Sequence, residues 1–358
     1  MVAIRRGVRY AARLVPAMPA SHWVQRLVTD SPGTLDALRW EPAERPEPGA
    51  GEIEIEVCAH GLNFRDVLNA LGVFGLERPR FGAECAGIVR RVGAGVRSFR
   101  PGDRVLAFAP YSLQSYATVP EAYAASLPGG MSFVQAATIP VAFLTAHYGF
   151  GRLARLAQGQ SVLIHAAAGG LGLAALQLAQ RAGAEIYATA GSERKREFLR
   201  GLGVRQVFDS RSQSFREGVL QATGGRGVDV VLNSLTGEMI PAGLDCLAPN
   251  GCFLEVGKRG IWSEEAVYGF RPDARYFAFD LGDVVREDPE LIRAMLGELT
   301  AEFAAGGLQP LRTIKARLSP RHPPPPLPVP RLRPLHLRPL PYRPCSGVRT
   351  ACWTRCSR

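Results

Sequence analysis

Hydrophobic positions change their spacing about 160 residues into the chain. From about Trp23 to Tyr123 they fall in short runs, EIEIEVCAHGL at 52–62, CAGIVRRVG at 85–93 and DRVLAFA at 103–109, cut by turns such as PGAGE and RPGDR. Runs of that length bounded by glycine and proline predict a β-rich unit. From about Gln158 strand patterns alternate with amphipathic helices, in the order SVLIHA, LAALQLAQRAG, EIYATA, ERKREFLRGLG, VDVVLNS and CFLEVG. That alternation predicts an α/β unit with a parallel sheet and right-handed crossovers. A strand over ARYFAFDL and a helix over DPELIRAMLGELTAEFAAG follow, and LRTIKARL is expected to return to the first unit. Beyond Ser319 the periodicity stops: 10 of the 38 residues 321–358 are proline, as in a disordered or polyproline-like segment.

Composition narrows the class. With 358 residues, 46% of them hydrophobic and 21% charged, the chain can form two compact globular domains. No apolar run approaches the roughly 18 residues of a membrane span, and the start MVAIRRGVRYAARLV lacks a signal-peptide pattern, so a cytoplasmic protein with no membrane partner is expected. The formal charge of +11 is mostly the tail: 321–358 holds eight arginines and no acid, and without it the charge is +3. No basic surface interleaved with aromatics is signalled, so no nucleic-acid partner is expected. The seven cysteines include no CxxC pair, which argues against a disulfide framework or zinc ribbon; Cys58, Cys85, Cys246 and Cys252 read as buried thiols.

The strongest chemical motif is HAAAGGLGLAALQLA, which follows the strand SVLI and opens a helix. Ala167, Gly169 and Gly172 keep the G-x-G-x-x-G spacing with alanine in first place, and Gly170 and Leu171 complete the turn. Small residues here let a pyrophosphate approach the backbone at the helix N-terminus, the mark of a Rossmann-type dinucleotide site. Packing of helix on strand would account for Gly172 but not for Gly169 and Gly170 together. About 20 residues on, where NAD-preferring folds place an acid on the ribose, the chain reads ATAGSERKR. Ser192, Arg194 and Lys195 offer a hydroxyl and two cations to a 2′-phosphate, so NADPH is the expected cofactor. Arg196 reads as a solvated residue of the helix's first turn.

In order, NFRDVLNALG, GAECAGIV, RPGDRVLAF, HAAAGGLG, DVVLNSLTGE and FLEVGK make the chain resemble the enoyl reductase domain of modular type I polyketide synthases, over about residues 8 to 318. That family lies in the medium-chain dehydrogenase/reductase superfamily. The resemblance implies a GroES-like substrate domain at 8–140, a Rossmann NADPH-binding domain at 141–275 and a return segment at 276–319. It also implies reduction of a trans-2-enoyl thioester on an acyl carrier protein, with neighbouring synthase domains as further partners. Zinc members of the superfamily place ligands where this chain has His60, Asn63, Arg65 and Ala83-Glu84, so no metal is expected. Lys258 is implied as the proton donor, beside the nicotinamide and away from bulk water, with Asp280 orienting it; a helix cap or a salt bridge is the plainer reading of Asp280. Asn63 and Gly257 are implied near the nicotinamide, with Thr145 and Phe64 as further candidates.

Two departures bear on function. Family members carry tyrosine in a stretch like LGMYPG, linked to configuration at the protonated carbon, whereas here LGVFG places Phe74 in that part of the substrate pocket. The family also continues after LQPLRTIKARLSP with a helix and a glycine-lysine strand; residues 320–358 instead read as a disordered product of a shifted reading frame, with a linker or polyproline ligand as the other reading. RRGVRYAARLVP suggests a fragment of a larger synthase. A free-standing NADPH-dependent quinone or enone reductase, or an inactive NADPH-binding fragment, are the alternatives.

Overall fold

The structure is a computed structural model and describes residues 2–5, 8–16 and 24–318. Strands β1 (Val2–Arg5) and β2 (Val8–Pro16) pair antiparallel, as do β3 (Gln25–Thr29) and β4 (Leu38–Pro42). The body of the first unit comprises β5 (Glu52–His60), helix α1 (Phe64–Ala70), β6 (Glu84–Val92), β7 (Arg104–Phe108), β8 (Tyr116–Pro120) and β9 (Ala124–Ser126). Its strands make one antiparallel sheet in the order β8-β5-β6-β7-β9. The alternation in EIEIEV puts Ile53, Ile55 and Val57 into an apolar cluster with Val89, Val105 and Val119.

Glu54, on the opposite face of β5, is also fully buried. Arg45 grips it at 2.7 and 3.0 Å, and Arg91 donates to both carboxylate oxygens. Burial raises the carboxyl's pKa, but the two guanidiniums outweigh burial and hold it below the usual range. Arg91→Leu leaves that buried carboxylate with half its donors and is expected to cost about 1.5–3 kcal/mol in urea denaturation. Because the folded carboxyl titrates below the unfolded one, its contribution is present above the ordinary glutamate range and fades as pH falls. The variant should therefore lose stability less steeply than the parent in acid; equal acid slopes and equal midpoints would remove Glu54 from this role.

Helices α2 (Phe133–Ala136) and α3 (Pro140–His147) and a π-helical turn over Tyr148–Ala154 lead into the second unit. There follow β10 (Ser161–Ile164), α4 (Gly170–Arg181), β11 (Glu185–Ala190), α5 (Glu193–Gly201), β12 (Gln206–Asp209), α6 (Ser214–Ala222), β13 (Val228–Asn233), α7 (Met239–Asp245), β14 (Leu247–Glu255), α8 (Glu264–Phe270) and β15 (Arg275–Ala278). The sheet is wholly parallel, in the order β12-β11-β10-β13-β14-β15. Such a sheet is covered on both faces, which is why every residue of β10 is buried. The chain winds outward from β10 to β12, then returns to β13 on the other side. This places the topological switch point between β10 and β13, where a crevice opens at the strands' carboxyl ends.

Helices α9 (Leu281–Glu287) and α10 (Pro289–Ala304) carry the chain back to the first unit. Tyr123 donates its hydroxyl to the Val285 carbonyl at 3.1 Å, and the Leu311 N–H donates to Thr138 Oγ1 at 3.1 Å. Strand β16 (Thr313–Leu318) then joins β2 in parallel, in a three-stranded sheet with β1. The largest apolar cluster runs through Leu106, Phe143, Ile164, Ala175 and Leu296, joining the two units in one core. The proline-rich tail lies outside the described residues.

Candidate active site

The turn between β10 and α4 is held from below by Thr189 of β11. The Ala167 N–H donates to the Thr189 carbonyl at 2.9 Å, and the Ala166 N–H donates to Thr189 Oγ1 at 3.2 Å. This clamp keeps Ala166 at φ +47°, a conformation alanine seldom adopts. The small residues at the helix entry have different reasons. A Cβ on Gly172 would lie 2.4 Å from the Ala167 backbone, so glycine is demanded by helix packing on the turn. A Cβ on Gly170 would meet nothing closer than 3.9 Å, so protein packing does not require glycine there. With Gly169 as N-cap, α4 also has no side-chain acceptor for its first N–H groups. The lack of close packing at Gly170 and these donors fit a dinucleotide pyrophosphate. The sequence pattern puts Leu171, Ala174, Ala175 and Leu178 on one face of α4, but Ala174, Ala175, Leu176 and Ala179 are the buried ones, while Leu171 and Leu178 are half-buried, because α4 packs on α3 as well as on the sheet.

One strand over, Ser192 is the N-cap of α5 and makes no capping bond with its side chain, Arg194 is exposed and Lys195 is half-buried. Arg196 is structural, donating to the Ala190 carbonyl and pairing with Glu193 and Asp209. Arg211, which the sequence did not single out, lies against Gly191 at the end of β11. Asp209, the carboxylate of neighbouring β12, accepts from the Arg211 N–H and pairs with Arg196.

At the carboxyl ends of β14 and β15 the structure brings Lys258 and Asp280 together, with Lys258 Nζ 2.9 Å from Asp280 Oδ2. The other carboxylate oxygen of Asp280 accepts from the Gly282 N–H at 2.7 Å, so the residue caps α9 as well as pairing. Arg65, in the first turn of α1, reaches across from the β-rich unit to the same Oδ2 at 2.5 Å. Burial raises the Asp280 pKa, but Lys258 and then Arg65 outweigh it and hold it down. No feature of the sequence assigns Arg65 such a role, since nothing local reveals a partner 215 residues away. Lys258 is less withdrawn from water than expected, its side chain being 30% exposed at the mouth of the cleft.

Glu255, three residues before Lys258, was also missed. It is buried at the end of β14 and accepts from Asn233 Nδ2 of β13 and from the Gly257 N–H, both at 2.6 Å. The available signal was an acid inside the apolar run CFLEVG.

Asn63 caps the entry to α1, and its amide donates to Glu84 Oε1 at 3.0 Å. Oε2 of that buried glutamate accepts from the Val141 N–H at 2.8 Å, tying the segment to the start of α3. Thr145, one turn on, donates to the Val141 carbonyl. His60 is wholly buried, and burial pushes its imidazole down to about 3, so it stays neutral. Among the described residues no three His, Cys, Asp or Glu side chains gather as a metal-ligand set. Phe74 is exposed and follows the C-terminal end of α1, a full helix length from Arg65.

The family model for the alcohol dehydrogenase GroES-like domain matches residues 49–147, and that for zinc-binding dehydrogenase matches 170–305. A phenolphthiocerol/phthiocerol polyketide synthase of Mycobacterium tuberculosis is 39% identical over 337 residues, which cover 87% of this chain and 15% of that protein. Phthioceranic/hydroxyphthioceranic acid synthase of Mycobacterium bovis is 42% identical over 289 residues, 79% of this chain and 14% of that protein. The chain thus spans about one-seventh of the length of these curated relatives. Among solved structures, CurK enoyl reductase superposes with a TM-score of 0.77 at 47% identity, covering 81% of this chain and 90% of that one. Escherichia coli quinone oxidoreductase complexed with NADPH gives 0.70 at 28% identity, covering 79% and 89%.

Proposed function

The chain belongs to the enoyl reductases of polyketide synthases, oxidoreductases built on the dehydrogenase fold, and on that footing we propose that it reduces a trans-2-enoyl thioester presented by an acyl carrier protein, with NADPH as hydride source. The observation that carries this reading is the pairing of Lys258 with Asp280 at the carboxyl edge of the parallel sheet whose β10–α4 turn leaves Gly170 without close packing. When bound, the cofactor supplies hydride to Cβ. The α4 N-terminus and the Gly169-Gly170 turn hold its pyrophosphate, and Ser192, Arg194 and Lys195, joined by Arg211, meet its 2′-phosphate. As the carbon–carbon double bond opens, its electrons pass to the thioester carbonyl as an enolate. Lys258 Nζ then gives its proton to Cα, and water restores the lysine. Asp280 keeps the ammonium pointed into the cleft, and Arg65 ties that carboxylate to the substrate domain. Partner domains of a larger synthase would deliver the carrier protein.

Turnover of crotonyl pantetheine with NADPH, measured beside a quinone, tests the assignment. The thioester should be the better substrate by kcat/KM. A quinone preference would move the chain to the quinone reductases, and NADPH binding with neither turnover would leave a binding fragment.

The two glycines of the turn separate packing from binding. Gly170→Ala, whose Cβ would make only an ordinary contact with Leu311, should keep or raise thermal stability, because alanine exceeds glycine in a helix by about 1 kcal/mol. It should nonetheless weaken NADPH binding by roughly tenfold or more by narrowing the approach to the backbone. Gly172→Ala should destabilise the fold by about 1–3 kcal/mol through overpacking. Parent-like NADPH affinity in Gly170→Ala would place the cofactor elsewhere.

A further inference from the structure

We propose that Glu255 is a positioning residue for the reduction: by accepting hydrogen bonds from Asn233 and from the Gly257 N–H at once, it fixes the 256–258 segment and so the point from which Lys258 reaches the substrate. This rests on Lys258 being the proton donor. The placement is specific. Glu255 is the last residue of β14, and beyond it the chain leaves the sheet and runs without regular structure to α8. Backbone pairing holds only the start of that segment, through the Val256 N–H on the Asn233 carbonyl at 3.0 Å. The Gly257 N–H bond to Oε1 is the next fastening, one residue before Lys258.

The partners are fixed in their turn. Asn233 cannot rotate away without breaking its own turn, because its Oδ1 accepts from the Leu235 N–H and its Nδ2 also donates to the Leu235 carbonyl, each at 3.1 Å. A Cβ on Gly257 would stand 2.6 Å from Glu255 Oε1, so glycine at that position is what lets the backbone come down onto the carboxylate.

An apolar residue at 255 would complete the strand without desolvating a carboxyl, and burying such a group is costly unless it makes bonds like these. That cost is visible: burial pushes the Glu255 carboxyl up to about 7, against the opposing pull of Asn233, Gly257 N–H and Lys258. Burial, and then the charge of Glu255, raises the phenol of Tyr276 on β15, a residue in register with Phe253. A group held this way contributes order at the strand end more than stability.

The test uses the full chain with NADPH and crotonyl pantetheine, comparing Glu255→Gln, Glu255→Leu, Lys258→Met and the double variant Asn233→Asp with Glu255→Gln. A glutamine at 255 can accept one of the two N–H donors but must turn its own NH₂ toward the other. Misplacement of the lysine should lower kcat by about 10- to 100-fold while KM for NADPH stays within about threefold. The double variant exchanges donor and acceptor across the 233–255 pair, the new carboxylate accepting from the new amide, whose oxygen is then free for Gly257, but it gives up the bond from position 233 to the Leu235 carbonyl. It should recover part of the kcat lost in Glu255→Gln, which a loss of fold stability alone would not produce at equal folded fraction. Parent-like kcat in both single Glu255 variants, with Lys258→Met impaired, would overturn the proposal and leave the lysine assignment standing. An unimpaired Lys258→Met would instead overturn the donor assignment, and the proposal with it.

Discussion

Lys258→Met is expected to lower the thioester reduction rate by about 10²- to 10⁴-fold, the usual contribution of a general acid. NADPH affinity should stay close to the parent, because the proposed phosphate contacts lie at α4 and α5, on the other side of the switch point. Asp280→Asn should act in the same direction and less, since the amide oxygen can still cap α9 through the Gly282 N–H while the charge that holds Lys258 and Arg65 is lost. The loss of Arg65 pairing also loosens the ion pair that links α1 to this edge of the sheet, so a rise in substrate KM should accompany it. Single-turnover rates with crotonyl pantetheine read the first effect, and chiral analysis of a reduced 2-methylacyl product reads which face receives the proton. An unchanged rate and configuration in Lys258→Met would place the proton source in ordered water.

NADPH is expected to bind far more tightly than NADH, and Lys195→Ala to shrink that difference by about 10- to 150-fold, the worth of one charge-assisted hydrogen bond of about 1.5–3 kcal/mol. The end of β11 presents no carboxylate of its own. The acid of the neighbouring strand, Asp209, is occupied by Arg196 and by the Arg211 N–H, and the Arg211 side chain lies against Gly191 on the same side. Arg211→Ala should therefore reduce the preference in the same way, a contribution invisible in ATAGSERKR because it comes from the next strand. Titration of both cofactors by fluorescence checks this, and equal affinity in the parent would refute the 2′-phosphate site.

Which parts of this protein could be read from its sequence follows from the range of the forces involved. Periodicity reports burial along one element, so most strand runs and the parallel sheet were legible, whereas β12, α6, α7 and α8 went unannounced and the buried stripe of α4 is shifted by its packing on α3. The turn at HAAAGGLG was legible for the same reason, since its glycines, strand and helix are contiguous. Lys258 and Asp280 were named, but through resemblance. Their meeting at 2.9 Å depends on β14 and β15 lying side by side, which no local pattern encodes.

The tertiary structure alone decided how distant charges are shared. It placed Arg65 on Asp280 across the cleft, gave the amide of Asn63 to Glu84, and buried Glu54 between two arginines although its alternation pattern suited a solvent face. It also separated Gly172, required by packing, from Gly170, where a Cβ would make only an ordinary contact with Leu311. The physical reason is common to all of these. A hydrophobic side chain needs only to be buried, and any apolar neighbour will serve, so its spacing along the chain is enough to announce it. A charge or amide needs one particular partner within about 3 Å, and only the packing of the sheet edges and helices against one another determines which partner that is.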